Sequence, residues 1–268
     1  NAKFDLHFLR TIGLEVAGPL IDTMLAAVLV RSEWQKKSLK ALSQDLLGER
    51  METFKETIGE LKHFGELDPE KATPYAANDA LQTVKIWEKL KKELEKDKKL
   101  EHIFYSLEMP LCKILFQMES TGIKLDCEVV EKIRKKVEAD LETISKKIEG
   151  SVKEASSKIE WPINLSSPRQ VEALLYDALK LPVIKKKTSL GKRSTDRAVL
   201  DELAKIHHIP GLIIKHRELS KLESTYLLPL PQFVCKKTDR IHTTYSQSRV
   251  ATGRLSSFDP NLQNIPVV

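Results

Sequence analysis

The stretch Arg249-Val250-Ala251-Thr252-Gly253-Arg254-Leu255-Ser256-Ser257-Phe258-Asp259-Pro260-Asn261-Leu262-Gln263-Asn264-Ile265-Pro266 decides the reading of this chain. From Thr252 to Asn264, thirteen positions hold one arginine, two asparagines, one glutamine and three hydroxyls. Core packing does not call for that density of hydrogen-bonding side chains. A surface that follows a polar, anionic polymer does, because it needs donors and acceptors for phosphate oxygens and base edges.

The bulk properties are compatible with such a surface. A length of 268 residues predicts two domains rather than one. Hydrophobic residues at 41% and charged residues at 31% fit a globular protein with a sizeable core. No apolar run approaches the roughly 20 residues of a membrane helix, and the start shows no leader pattern, so no membrane partner is expected. The net charge of +6 favours a polyanionic partner, although a basic protein without one stays open on charge alone. Cys112, Cys127 and Cys235 form no C-x-x-C pair, which points away from zinc and from a disulfide framework and towards a reduced, cytoplasmic setting. The chain opens without Met inside one motif-like run and stops as another begins, so we expect an internal piece of a longer protein.

Outward from the closing stretch, residues 239–246 alternate, with Ile241, Thr243 and Tyr245 facing one way, which predicts a strand. Helices are predicted over 198–206 and 210–226, and over 168–179 behind the Asn164-Leu165-Ser166-Ser167-Pro168 cap. Residues 128–148 form a strongly amphipathic helix that Asp126 can cap. A core-facing helix over 101–118 stops at Gly122, and the charge-laced run 88–101 reads as a helix end and connector. Pro74 is expected to open a helix reaching about residue 97. Residues 38–47 form a helix closed by Gly48, and a helix over 22–30 is opened by Asp22. Residues 1–33 read as short α/β units, with Asp5 as a buried-looking acid in a strand-like apolar run.

Three constellations carry chemistry. The first is acidic: Asp5, with Tyr75 and Asp79 four residues apart on one helix face. Carboxylates gathered from distant sequence repel unless a cation separates them, and two-metal phosphodiester chemistry holds its ions about 4 Å apart in this way. On spacing alone, a cap at Asp5 and a surface acid at Asp79 are the better account of the pattern. The second is basic: Lys185, Lys186, Lys187, Lys192, Arg193 and Arg197 around Gly191, interleaved with Ser194 and Thr195, followed by Arg217 and Lys221 at i and i+4. Lysines attract phosphate through counterion release and hydroxyls make close contacts. A solvated loop and a pair of surface charges remain the alternatives. The third is the closing stretch. His242 and the pair His207-His208 lack accompanying acids or thiols and predict no metal site.

The run T-G-R-L-S-S-x-x-P-N-L-Q-N-I-P resembles the entry to the polymerase domain of family A DNA polymerases, the bacterial DNA polymerase I type, nearly letter for letter. Asn1-Ala2-Lys3-Phe4-Asp5 and Tyr75-Ala76-Ala77-Asn78-Asp79 resemble the second and third motifs of the 3'→5' exonuclease in the same family, and Asp22-Thr23-Met24-Leu25 also matches. The basic tip resembles that of the family's thumb. The run Arg217 to Tyr226 matches its R-E-L-x-K-L-x-S-T-Y pattern, with Glu223 where many relatives carry a second lysine.

The resemblance implies an α/β chain: a partial ribonuclease H-like exonuclease domain over 1–98, then the start of a polymerase domain over 99–268. The latter divides into palm entry (99–126), a mainly helical thumb (127–232) and return to palm (233–268). It implies a DNA-templated DNA polymerase of replication and repair, monomeric, acting on primer–template duplex and deoxynucleoside triphosphates. Asp5 and Asp79 become Mg²⁺-associated carboxylates and Tyr75 holds the attacking water. DNA contacts fall to Asn164, Ser166, Ser167, Lys192, Arg193, Ser194, Thr195, Arg217, Lys221, Thr252, Arg254, Asn261, Gln263 and Asn264. Val250 replaces a threonine common in relatives. Both metal sites are expected to be incomplete here: the D-x-E exonuclease motif belongs before Asn1 and the polymerase carboxylates after Val268. The alternatives are a polymerase with a purely structural exonuclease fold, or a non-catalytic DNA-binding protein.

Overall fold

The long central helix over 69–95 begins where two local signals coincide. Asp68 accepts a hydrogen bond from Glu70 N at 2.8 Å, and Pro69 follows it with φ preset for the first turn. In this computed structural model, which describes residues 1–31, 36–155, 162–184 and 193–266, the chain divides into two units. One comprises Asn1–Gly122 and His242–Gln263, the other Ile123–Ile241 and Asn264–Val268.

The first unit holds helices α1 (Ala2–Thr11), α2 (Thr23–Val30), α3 (Leu39–Leu47), α4 (Phe54–Ile58), α5 (Pro69–Glu95), α6 (Lys98–Ile103) and α7 (Met109–Thr121). A π-helical turn, Phe104–Glu108, joins the last two. Asp22 caps α2 through Met24 N and Leu25 N, and Thr53 and Glu56 form a reciprocal capping box on α4. The C-terminal glycines Gly48 and Gly122 take positive φ, 71° and 70°, which costs a residue with a Cβ more. Ile86, Leu90 and Leu94 of α5 recur every fourth residue and are buried against Leu25, Ala26, Ala27, Leu42 and Phe104.

Two expectations fail in this unit. Pro74 lies inside α5 rather than at its start, because the Asp68-Pro69 cap nucleates the helix five residues earlier. The 5–9 segment is not strand-like but part of α1, and Asp5 is exposed. A five-residue alternation is too short to separate the two periods. What settles it is a tertiary partner: Lys3 and His7, one helical turn apart, both reach the carboxylate of Glu119 on α7.

The second unit holds α8 (Cys127–Ala155), α9 (Pro168–Glu172), α10 (Arg197–Ala204) and α11 (His208–Leu222). Asp126 caps α8, accepting from Val129 N at 3.0 Å. The α9 and α11 helices each run on into a π-helical turn, Ala173–Ala178 and Glu223–Leu227. The core comes from one face of α8 (Ile144, Ile148, Val152) together with Val171, Leu174, Leu175, Leu200, Leu203, Ile209 and Ile213. Fully burying each large aliphatic contributes about 1.5–3 kcal/mol before entropy.

The predicted strand from 239 onward is interrupted. In the second unit, β1 (Val234–Cys235) pairs antiparallel with β2 (Arg240–Ile241), and Ile241 also bridges Ile123. In the first, β3 (Thr244–Ser246) pairs antiparallel with β4 (Ser256–Phe258), Tyr245 opposite Ser257. The alternation survives in the burial of Ile241 and Thr243. The strand breaks because its two halves pair with different partners.

Candidate functional site

The closing stretch forms the β3–β4 hairpin and the turn that follows it. Gly253 takes φ 75°, and its N–H bonds Val250 O at 3.1 Å, closing a turn that carries Thr252 and Arg254 into solvent. The hairpin is braced from within. Gln263 accepts from Ser257 N at 3.1 Å and donates to Leu255 O at 2.9 Å. Thr243 Oγ1 hydrogen-bonds Pro260 O at 2.7 Å and Phe258 O at 3.1 Å. The Arg249 guanidinium lies 3.9 Å from the Phe258 ring centroid. Asn261 Oδ1 accepts from Gln263 N at 3.0 Å. Gln263 and Asn261, read from sequence as DNA contacts, thus use part of their capacity in shaping the turn. Asn264 is exposed, and its carbonyl accepts from Tyr226 Oη at 2.5 Å within the second unit.

In the second unit two loops and one helix converge. The loop at 164–167 is an Asx-type turn, with Asn164 Oδ1 accepting from Ser166 N at 2.9 Å and Asn164 O accepting from Ser167 N at 2.9 Å. Asn164 and Ser166 are exposed and Ser167 half-buried. The loop at 193–196 precedes α10, which Asp196 caps through Val199 N at 2.9 Å. Lys192 and the basic run 185–191 lie outside the described residues.

The structure changes the standing of several residues here. Ser194 and Thr195 are buried, so their hydroxyls do not stand on a surface. Arg193 is committed to two carboxylates: Nε to Glu172 at 2.9 Å, and Nη1 and Nη2 to Asp177 at 2.8 Å each. These charge-assisted bonds hold Glu172 and Asp177 below the usual carboxylate range. Tyr176 Oη, buried, donates to Ser194 O at 2.7 Å, and the Arg193 guanidinium lies 5.0 Å from its ring centroid. Glu172, Tyr176 and Asp177 escaped the sequence reading because their partners lie 16 to 21 residues away, with no local spacing to betray them.

Arg217 of α11 faces inward. Its Nε donates to Leu165 O at 3.0 Å and its Nη1 to Thr195 O at 2.7 Å. Desolvation by burial draws its pKa down from the ordinary arginine value. Both bonds go to backbone carbonyls of the second unit. Lys221, one turn on, is exposed.

In the first unit, Tyr75 and Asp79 share one face of α5, both half-buried, while Asp5 stands exposed on α1. Lys40 Nζ lies 3.3 Å from Tyr75 Oη and 4.7 Å from its ring centroid, and Phe64 packs on the same ring. Among the described residues no group of three or more His, Cys, Asp or Glu side chains is placed to hold a metal. A cavity of about 770 Å³ in this unit is lined by Lys3, His7, Arg10, Glu119, Gln247 and Arg249. Both of its acids are engaged: Asp22 accepts from Ala2, Met24 and Leu25 N, and Glu119 accepts from Lys3, His7 and Tyr245 N.

Residues 85–268 match the family described as DNA polymerase family A, and residues 1–95 match a 3'-5' exonuclease family. The DNA polymerase I of Chloroflexus aurantiacus is 37% identical over the whole of this chain, which spans 28% of that relative. The thermostable DNA polymerase I of Thermus thermophilus is 40% identical over 75% of this chain and 25% of its own length. The chain therefore spans about a quarter of these curated relatives. Among solved structures, the POL domain of Pol1 from M. smegmatis, in complex with DNA primer-template and dNTP, superposes with a TM-score of 0.81. It is 29% identical, and the match covers 99% of this chain and 42% of that one. With more than half of its length matched by one family, the chain belongs to DNA polymerase family A.

Proposed function

We propose that this chain is part of a monomeric, DNA-templated DNA polymerase acting in replication and repair in the bacterial cytoplasm, on nucleoid DNA. Its partners are primer–template duplex and deoxynucleoside triphosphates. In this reading residues 1–98 belong to a 3'→5' proofreading exonuclease, 99–126 and 233–268 to the palm, and 127–232 to the thumb. One observation carries it: Arg254 and Thr252 project into solvent from a turn closed by Gly253 N on Val250 O, with the next carbonyl, of Leu255, held by Gln263. An arginine held in this way donates to minor-groove acceptors that every base pair presents, so it senses pair geometry without reading sequence. Asn261 and Asn264 carry further exposed amides, and Lys221 adds a phosphate contact.

Families of this kind generally use divalent metals, and Mg²⁺ is the ion we assign. Among the described residues Asp5 and Asp79 do not fall in a group of three or more side chains able to hold a metal. No step through a metal is derived from them.

The test uses the whole polymerase. Arg254→Ala is expected to lower primer extension more than duplex affinity, measured by single-turnover incorporation and fluorescence anisotropy. Equal losses in both overturn the assignment. A second reading, in which the exonuclease fold is structural only, is favoured by Lys40 beside the Tyr75 hydroxyl and by the exposure of Asp5. Asp79→Ala separates the two: loss of Mg²⁺-dependent 3'-end degradation with synthesis spared supports proofreading, and an unchanged rate supports the scaffold.

A further inference from the structure

A strand at the edge of an antiparallel pair turns every second N–H and C=O away from its partner, and a further strand ordinarily takes them. Tyr245 is such a residue in β3. Its N–H donates to Glu119 Oε1 at 2.7 Å, and its carbonyl accepts from Lys3 Nζ. Lys3 Nζ also donates to Glu119 Oε1, at 2.5 Å. The ion pair therefore offers Tyr245 one acceptor and one donor, as the backbone of a neighbouring strand would. Opposite Tyr245 in the ladder, Ser257 turns its N–H to Gln263 Oε1 at 3.1 Å. Both outer edges of the hairpin are capped by side chains, and Gln263 also holds Leu255 O, next to Arg254.

The same pair holds α1. Of the ten residues of that helix, Lys3 is the one that is buried, so no buried apolar side chain of its own fixes it. Lys3 and His7 lie one turn apart, on either side of Asp5 in sequence, and both reach Glu119. Glu119 is buried on α7, and its carbonyl pairs with His242 Nδ1 at 2.7 Å, two residues before β3. A buried ion pair is weak evidence of net stabilisation, and its best-attested use is to select one arrangement among several.

We propose that Glu119 is a positioning residue for two reactions at once: with Lys3 it stands in for a neighbouring strand of β3, and so locks the helix carrying Asp5 to the hairpin carrying Arg254. This rests on the proofreading-polymerase reading given above. Base-pair geometry sensed at Arg254 and 3'-end removal at α1 then share one mechanical connection, through a carboxylate that touches neither substrate.

The experiment uses the whole polymerase. Single-turnover incorporation, 3'-end degradation, duplex affinity and amide hydrogen exchange are measured on wild type and three variants. Lys3→Glu with Glu119→Lys keeps opposite charges in place but sets an acceptor against Tyr245 O and a donor against Tyr245 N–H. Lys3→Met with Glu119→Gln removes both charges and keeps the test open where the swap fails to fold. Ile86→Val trims one methylene from the buried core of the same unit and reports simple destabilisation. Both double variants are expected to slow incorporation and degradation together, each about tenfold, with duplex affinity unchanged. Exchange should quicken at the Tyr245 amide and along α1. Ile86→Val should change neither the rates nor that exchange.

Recovery of both rates and of Tyr245 protection in the charge swap would reduce the pair to an ordinary salt bridge and overturn the proposal. Loss of one activity with the other intact would also overturn it, by confining Glu119 to one element. So would a profile that matches Ile86→Val. A wild type that incorporates but does not degrade would sink the proofreading reading alone. The joint exchange of α1 and Tyr245 would still decide whether Glu119 locks helix to hairpin.

Discussion

Lys3 Nζ lies 2.5 Å from Glu119 Oε1, an ion pair whose side chains are 11% and 5% exposed. It joins α1 to the end of α7, and Glu119 serves three elements at once. Its carboxylate also accepts from His7 Nε2 at 2.7 Å and from Tyr245 N at 2.7 Å, and its carbonyl oxygen pairs with His242 Nδ1 at 2.7 Å. Lys3 in turn donates to Tyr245 O. One buried acid thus sets the first helix, and with it Asp5, against the strand that begins the closing hairpin.

Breaking this pair from one side leaves an uncompensated buried charge. Glu119→Ala is expected to destabilise the protein by about 3–5 kcal/mol. The double substitution Lys3→Met with Glu119→Gln should cost clearly less than the sum of the singles, because it removes both charges. Chemical denaturation of the four-member cycle checks this, and additive losses would show that the two side chains are not coupled.

Arg193 makes the stability of the second unit pH-dependent. Its hydrogen bonds depress the folded-state values of Glu172 and Asp177. A depressed carboxylate contributes stability that is fully present above its unfolded value, near 4, and is lost as pH falls through the folded value. Arg193→Gln should therefore lower the melting temperature at pH 7 and have a shrinking effect below about pH 4. A difference that stays constant down to pH 3 would contradict the assigned pairs.

The three cysteines should separate by reactivity. Burial pushes the Cys112 thiol up to about 11, so it should resist alkylation in the folded protein. Backbone hydrogen bonds from Lys237 and Thr238 and a side-chain bond from Thr238 draw Cys235 down, and it is half-buried at the end of β1. Iodoacetamide at pH 7, followed by peptide mass mapping, should label Cys235 fastest, exposed Cys127 next and Cys112 only after unfolding. Early labelling of Cys112 would mean that α7 opens far more readily than its packing implies.

Lys221→Ala should reduce the slope of log affinity against log salt by about one, weakening binding to all duplex sequences alike. An unaltered slope would remove Lys221 from the interface.

The chain was unevenly legible from its sequence. The closing motif, the caps at Asp22 and Asp126, the helix start at Pro168, and the stops at Gly48 and Gly122 were readable because each is a local signal, settled within a turn or two of backbone. The α5 start was misplaced because two prolines compete and only one follows a capping acid. The strand-like reading of 5–9 failed because a short apolar run carries no decisive period, and its helix is fixed by a glutamate more than a hundred residues on.

The sequence by itself determined the family, the order of the segments and the residue types able to meet DNA, since these lie in contiguous motifs. Tertiary structure alone decided which of those residues are available. Arg193, Ser194, Thr195 and Arg217 look alike in sequence as polar candidates, yet they are drawn into carboxylates, burial and carbonyl bonds, whereas Arg254 and Lys221 remain exposed. The physical reason is that a polar side chain's partner is set by whatever group the fold brings within about 3 Å, and those groups come from 16 to 52 residues away.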